Sequence, residues 1–465
     1  MKSTVADYSP EAKEQINCGA KVRALMDGTD GMREAGKTYL PKFPAETEEA
    51  YAARLAQTWL FNGFRKTVRD MAGRVFAKPV EIKAGNAKMV DWSLNIDNAG
   101  NDLSTFARRV FEDGLASGIS YIMVDAPPRQ GTVTVAQAEA LRPYLVHLST
   151  EEVLGWKVSA ENGKPGLSQL RLMECVQEDD PKDEFNQVEV DQVRVLDRTP
   201  VGVQVRIYRK VKGQDDTEDW AMIDEPTFTG LAEITVVPFY ANRDEFFTGE
   251  PLLDDLADVN IAHWQSQSDQ RQILHFARVP VLFAAGRSQE DGPLQISASM
   301  AVVSSDPTAK LAWVEHSGAA IGAGRQDLKD LEFQMETHGL QLLVAKPGAQ
   351  SATGESLDAA KETSILAMTA DELKNTLEIA LGWMCQYGGV DGDVEVNVNK
   401  EFGVTMMAAQ DLTALLSAVN TGNLSRETFI AELARRGVIP PETDVDEEVD
   451  RIGANAEALM PAPPQ

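Results

Sequence analysis

Five histidines (His147, His263, His275, His316 and His338) are the side chains best suited to acid–base or metal chemistry, and their spacing favours neither. Only His263 and His275 share an element, twelve residues apart, so no metal-ligand pair is expected from them. The glycine cluster Gly318-Ala-Ala-Ile-Gly-Ala-Gly324 has the wrong order for a dinucleotide fingerprint and reads instead as a hinge before the next helix. The acidic run from Glu442 to Asp450 matches a calcium loop in charge only, because it lacks the glycine at the sixth position; a solvated face is the expectation. Neither a Walker loop nor a Gly-x-Ser-x-Gly elbow is present. These residues predict no catalytic group, no metal and no cofactor.

One loop invites a physical rather than catalytic role. Between Lys346 and Gly354 a single cation stands among small and amide side chains, including Gln350, Ser351 and Thr353. In a monomer this is an ordinary inter-helix loop. Repeated around a ring, it would give graded phosphate contact without sequence preference.

The elements around that loop are helical. Pro251 sits where a first-turn proline is tolerated, and Asp254, Asp255 and Asp258 suit the positive N-terminal end of a helix. Arg271 and Arg278 lie toward its other end, and Val279-Pro280 stops it. The helix 251–278 would span about 40 Å at about 1.5 Å per residue. A second helix is expected over 325–343, with Arg325 and Lys329 on it, and a third from about Ser356 to Gly388. Between the first two lies the strand-like Val281-Leu-Phe-Ala-Ala. Upstream, helices are expected from Ser9 to Asp27, over 47–76 and over 101–117. Leu55, Trp59, Phe64, Val68 and Met71 form the apolar stripe of the second. The 119–240 block changes period, with strand-like runs at 121–125, 144–148, 170–173, 193–196, 203–208 and 234–238. Val394 to Val398 alternates as one more strand, and a helix over 423–437 is capped by Ser425.

At 465 residues the chain can hold two to four domains, and 43% hydrophobic with 25% charged residues permits a sizeable core. The net charge of −28 argues against a sequence-reading DNA binder, though not against a protein that DNA slides past. Three separated cysteines (Cys18, Cys175, Cys385) suggest no disulfide framework and fit a reducing compartment. No apolar leader opens the sequence and no run reaches a membrane-spanning length, so a soluble chain without membrane contact is expected.

Several segments together resemble the portal proteins of tailed bacteriophages, in particular a portal-like group catalogued as a domain of unknown function. They are Gly36-Lys-Thr-Tyr-Leu-Pro-Lys-Phe-Pro, Pro143 to Trp156, Pro251 to Trp264 continuing to Gly286, and Ala352-Thr-Gly-Glu-Ser-Leu-Asp-Ala-Ala-Lys-Glu-Thr363. The resemblance spans roughly residues 36–440. It implies an α+β portal fold: a wing over 1–250 with N-terminal helices and a β-rich module, a stem helix over 251–278, and a small α/β clip over 279–320. A second stem helix over 321–343, a tunnel loop over 344–356, a long wing helix and strand over 357–400, and a helical crown with tail over 401–465 would follow. It implies that Lys346, Gln350, Ser351 and Thr353 face a DNA channel, and that Asp254, Asp258, Arg271, Arg278, Arg325 and Lys329 carry charge along the stem. The implied protein is no enzyme. It is a homo-oligomeric, dodecameric ring in the virion, assembled in the host cytoplasm, through which double-stranded DNA is packaged and ejected. Its implied partners are the terminase large subunit, a head–tail adaptor, and the scaffold and major capsid proteins. A head–tail adaptor or other minor virion protein is the alternative, and adaptors are usually much shorter.

Overall fold

The computed structural model describes residues 4–84, 86–127, 141–161, 164–212, 218–277, 281–285, 308, 310–314, 319–340, 364–400, 416–419, 424–435, 445, 448 and 451. The N-terminal helices are α1 (Pro10–Asp27), α2 (Thr29–Ala35), α3 (Glu48–Gln57) and α4 (Gly63–Val75). Strand β1 (Glu81–Ala84) and helices α5 (Ala87–Trp92) and α6 (Leu103–Ser117) follow. Ser9 caps α1 by accepting from the Ala12 amide, with Pro10 in the first turn. Asp102 caps α6 through the Thr105 amide at 2.9 Å. Leu103, Phe106, Val110, Phe111 and Leu115 of α6 are buried as their helical spacing predicts.

The expected helix over 47–76 is two helices. The chain leaves α3 at Thr58 in extended backbone, and Asn62 restarts it as the N-cap of α4 by accepting from the Arg65 amide. Trp59 falls in the break and is 42% exposed, so it does not belong to the apolar stripe.

Among the described residues nine strands carry the β-rich part: β2 (Ile119–Asp125), β3 (Tyr144–Leu148), β4 (Val153–Glu161), β5 (Lys164–Asp179), β6 (Gln187–Thr199), β7 (Gly202–Lys212), β8 (Glu218–Met222), β9 (Thr227–Phe228) and β10 (Val236–Tyr240). One antiparallel sheet has the order β10-β2-β3, with Tyr121 opposite Pro238 and Leu148. The other is an antiparallel meander, β4 to β8, with β9 beside β7. The pattern of short apolar runs found β2, β3, β7 and β10 and the cores of β5 and β6, whose outer halves are polar, but missed β4, β8 and β9.

Strand β2 is buried on both faces, which is why it reads as a continuous apolar run. Ile122 and Val124 face the helices, whereas Ile119, Tyr121 and Met123 pack with Leu170, Leu172 and Leu196 of the meander. Gly118 makes the tight entry possible. Its φ of +83 is left-handed, and a Cβ there would stand 2.0 Å from the Glu250 carbonyl oxygen.

The remaining elements are α7 (Asp254–Ala277), β11 (Val281–Ala285), β12 (Lys310–Val314), α8 (Ala319–Leu340), α9 (Ile365–Gly388), β13 (Glu395–Asn397) and α10 (Arg426–Arg435). β11 and β12 pair antiparallel, Val281 opposite Val314, and β13 pairs with β1. Helix α8 starts six residues earlier than expected, so Gly322 and Gly324 are helical and the predicted hinge is not one. Packing explains this: a Cβ on Gly324 would lie 2.1 Å from Gln270 Oε1, so glycine lets α8 approach α7. Helix α9 begins at Ile365, after the N-cap Ser364; residues 356–363 of the expected helix lie outside the described residues. Its Leu366, Leu373, Leu377, Leu381 and Met384 complete the helical core. Ser425 caps α10 through the Thr428 amide at 3.1 Å, as expected. Among the described residues no helix is long and apolar enough to cross a membrane.

Candidate functional site: the stem helices and their anchors

Helices α7 and α8 run antiparallel, since their cross-contacts climb one helix while descending the other. Gln270 Nε2 donates to the Ile321 carbonyl at 3.0 Å, Ser266 hydrogen-bonds Asp327, and His263 Nε2 lies 3.6 Å from Glu332. The pair is joined through a segment containing the β11–β12 ribbon. Phe333 on α8 is 70% exposed and Phe283 on β11 is 54% exposed.

The predicted channel residues Lys346, Gln350, Ser351 and Thr353, and Arg278 of the stem set, lie outside the described residues. The other stem residues are placed, and they do not form one cluster. Asp254 and Asp258, one turn apart at the start of α7, both bind Lys21 Nζ of α1, at 2.8 and 2.6 Å. They are anchors to the N-terminal helices. Their pull raises the Lys21 ammonium above its ordinary value against the opposing effect of its partial burial. Arg271 stacks its guanidinium over the Trp59 ring at 5.6 Å. Arg325 and Lys329 are exposed on α8.

A second set of α7 residues, absent from the sequence expectations, does most of the joining. Asn260 is fully buried; its Oδ1 accepts from the Phe64 amide at 2.9 Å and its Nδ2 donates to the Phe61 carbonyl at 2.8 Å. Gln265 donates to the Tyr39 carbonyl at 2.9 Å. Ser268 meets Thr58 Oγ1 at 3.1 Å and Arg54 at 3.4 Å. Arg54 in turn grips Glu46 through Nε and one terminal nitrogen, at 2.8 and 2.9 Å, while both side chains are only 5% exposed. The guanidinium also lies 4.3 Å from the Phe43 ring centroid. Its hydrogen bonds hold the Glu46 carboxyl below the usual carboxylate range. The signal was in the sequence: Asn260, His263, Gln267 and Gln270 recur at helical spacing, a polar stripe where an apolar one is normal.

Burial pushes the His263 imidazole below its ordinary pKa, opposed by Glu332. Its ring also packs on Phe61, centroids 5.2 Å apart. Near the base of α7, Phe247 is fully buried with φ of +71, ringed by Tyr121, Trp156 and Phe246 at 4.7, 5.3 and 5.8 Å. Tyr121 donates to the Phe247 carbonyl, and the Phe247 amide donates to the Tyr240 hydroxyl. Among the described residues no three His, Cys, Asp or Glu side chains converge as a metal site.

A family model described as a domain of unknown function (DUF4055) matches residues 251–388, the segment from the start of α7 to the end of α9. No curated protein matches the chain. Among solved structures, a chain from the neck of a native gene transfer agent particle, computed with C12 symmetry, is similar at 12% identity and a TM-score of 0.37, covering 80% of this chain and 88% of that one. A chain of the virion of the native gene transfer agent particle is similar at 12% identity and a TM-score of 0.39, covering 87% and 98%. A chain from the neck of the empty particle, computed with C6 symmetry, gives 13% identity and 0.38, covering 79% and 88%. Likenesses this distant leave the functional reading to the chain's own geometry.

Proposed function

We propose that this chain is the repeating subunit of a portal-type ring, a non-enzymatic conduit for duplex DNA in a phage-like virion. The observation that carries the reading is the antiparallel α7–α8 pair with the small β11–β12 ribbon in its connection, held along α7 from Asp254 to Arg271 against a mixed helical and β body. Exposed Phe333 on α8 and Phe283 on β11 suit a neighbouring copy that covers them. The sequence resemblance to portal proteins supports the same reading, and with it the terminase, adaptor, scaffold and capsid partners. The acidic balance of −28 per subunit suits a channel that must not hold DNA tightly.

Electron microscopy of the purified chain tests this: rings with a central hole are expected. A stable monomer at high concentration overturns it. Lys346→Glu is expected to leave rings intact while weakening DNA packaging or retention; loss of the ring instead would make Lys346 a structural residue.

A further inference from the structure

The β5–β6 hairpin reaches beyond the core. The two strands pair continuously from Gln169↔Asp197 to Asp179↔Gln187, and from Gln187 to Asp191 β6 is exposed or half-buried before it enters the core. The turn is closed by its own bonds: the Asp180 amide donates to the Asn186 carbonyl at 3.0 Å, and the Phe185 amide to Asp183 Oδ1 at 3.1 Å. This ordered tip holds Phe185 91% exposed, against no apolar surface of its own chain. Residues 178–191 carry seven acidic side chains and one lysine.

The opposite character lies on α4, β1 and α5. In a chain with net charge −28, residues 63–94 carry seven basic side chains against Asp70, Glu81 and Asp91. Lys66, Arg69, Lys83 and Lys88 there are exposed. Beside Lys88, Val90 and Leu94 are 48% and 69% exposed, four residues apart, with the exposed Asp91 between them. An isolated aromatic on an acidic finger and an isolated apolar step on a basic surface are complementary in both chemistry and charge.

We propose that the hairpin tip of one subunit docks on the α4–β1–α5 surface of a second copy, with Phe185 seated against Val90 and Leu94, and Asp183 and Glu184 facing Lys83 and Lys88. The contact rests on the ring reading. It is head-to-tail, joining two different surfaces, as a closed ring requires. Between strongly acidic subunits it supplies a local attraction and fixes which faces meet.

Disulfide trapping tests it, in a background of Cys18→Ser and Cys175→Ser that removes the two exposed thiols. Phe185→Cys combined with Leu94→Cys is expected to give a ladder of covalent multimers under oxidation, and either substitution alone should give none. Asp183→Lys with Glu184→Lys is expected to raise the concentration needed for assembly at least tenfold, and adding Lys83→Glu with Lys88→Glu should restore it. Wild-type rings with neither the ladder nor the charge effect overturn this contact and leave the ring reading standing. A wild-type chain that forms no ring overturns both. Rings of Lys83→Glu/Lys88→Glu that assemble normally but bind less duplex DNA overturn it in favour of a nucleic-acid contact.

Discussion

The buried pair Arg54–Glu46 offers the most demanding test of how the stem is tied to the body. Arg54→Ala removes two charge-assisted bonds to Glu46, a bond to the Pro41 carbonyl at 2.8 Å, the contact with Ser268 and the packing on Phe43. It also leaves a carboxylate whose side chain is 5% exposed without its cation. Breaking such a pair from one side destabilises by about 3–5 kcal/mol, because the surviving charge stays desolvated. Part of that returns if the orphan protonates, so Glu46 should titrate upward in the variant. Replacing both partners (Arg54→Met with Glu46→Leu) removes the orphan and should lose markedly less than Arg54→Ala alone. The sign with pH follows from the lowered Glu46 pKa: its stabilisation is complete above the ordinary carboxylate pKa and is lost as pH falls below it. Urea unfolding followed by tryptophan fluorescence at pH 7 and pH 4 gives the measurement. A loss under about 1 kcal/mol at pH 7, or a double variant as damaged as the single, would refute the reasoning.

Four further outcomes can be checked by the same unfolding measurements. Gly118→Ala should lose at least about 3 kcal/mol, since the left-handed backbone and the Glu250 carbonyl 2.0 Å away leave nothing that can move. Gly324→Ala should lose only about 1 kcal/mol, the worth of the Gln270–Ile321 bond surrendered when that side chain swings aside, and nothing in a Gln270→Ala background. Phe247→Ala should lose about 3–5 kcal/mol with its aromatic cluster; Phe247→Gly should lose less, the reverse of the usual order, because φ is +71. As for pH, burial lowers the His263 pKa, so its native state resists the proton that the unfolded chain takes up below about 6.5. Stability should therefore fall as pH drops below that value, and His263→Gln should flatten this part of the profile; an unchanged profile would show that another group dominates.

The sequence made the elements more legible than their joints. Ser425 announced its helix because a capping side chain is a local device, readable from a few neighbours, and Ser9 and Asp102 cap theirs in the same way. The apolar face of α6 was equally plain. The break at Thr58–Asn62 was not, because its cause is long-range: Asn260 accepts the Phe64 amide and Ser268 holds Thr58, from some two hundred residues away. The same holds for α8, where two glycines read as a hinge until the facing Gln270 is known. Asp254 and Asp258 fitted a helix N-terminus, yet their partner is Lys21, which no spacing rule links to them.

That pattern says something about the stem itself. An apolar face on α7 would bury more area, but it would tolerate sliding by a turn, since one apolar side chain replaces another at similar cost. Asn260 does not tolerate it: both ends of its amide are engaged by main-chain groups at fixed positions, and a shifted register would leave all of them buried and unpaired. The seam is also incompletely satisfied. Among the described residues, Gln267 Oε1 and the Trp264 indole N–H are buried without a hydrogen-bond partner. Such a stripe specifies one register more than it stabilises the fold. Helix α7 is thereby set rigidly on α3 and α4, whereas α8 meets it through glycine and longer side chains. Helix α8 is seated on the body as well: Met335 is buried in the helical core against Gly63 of α4, and Gly339 lies against Thr67.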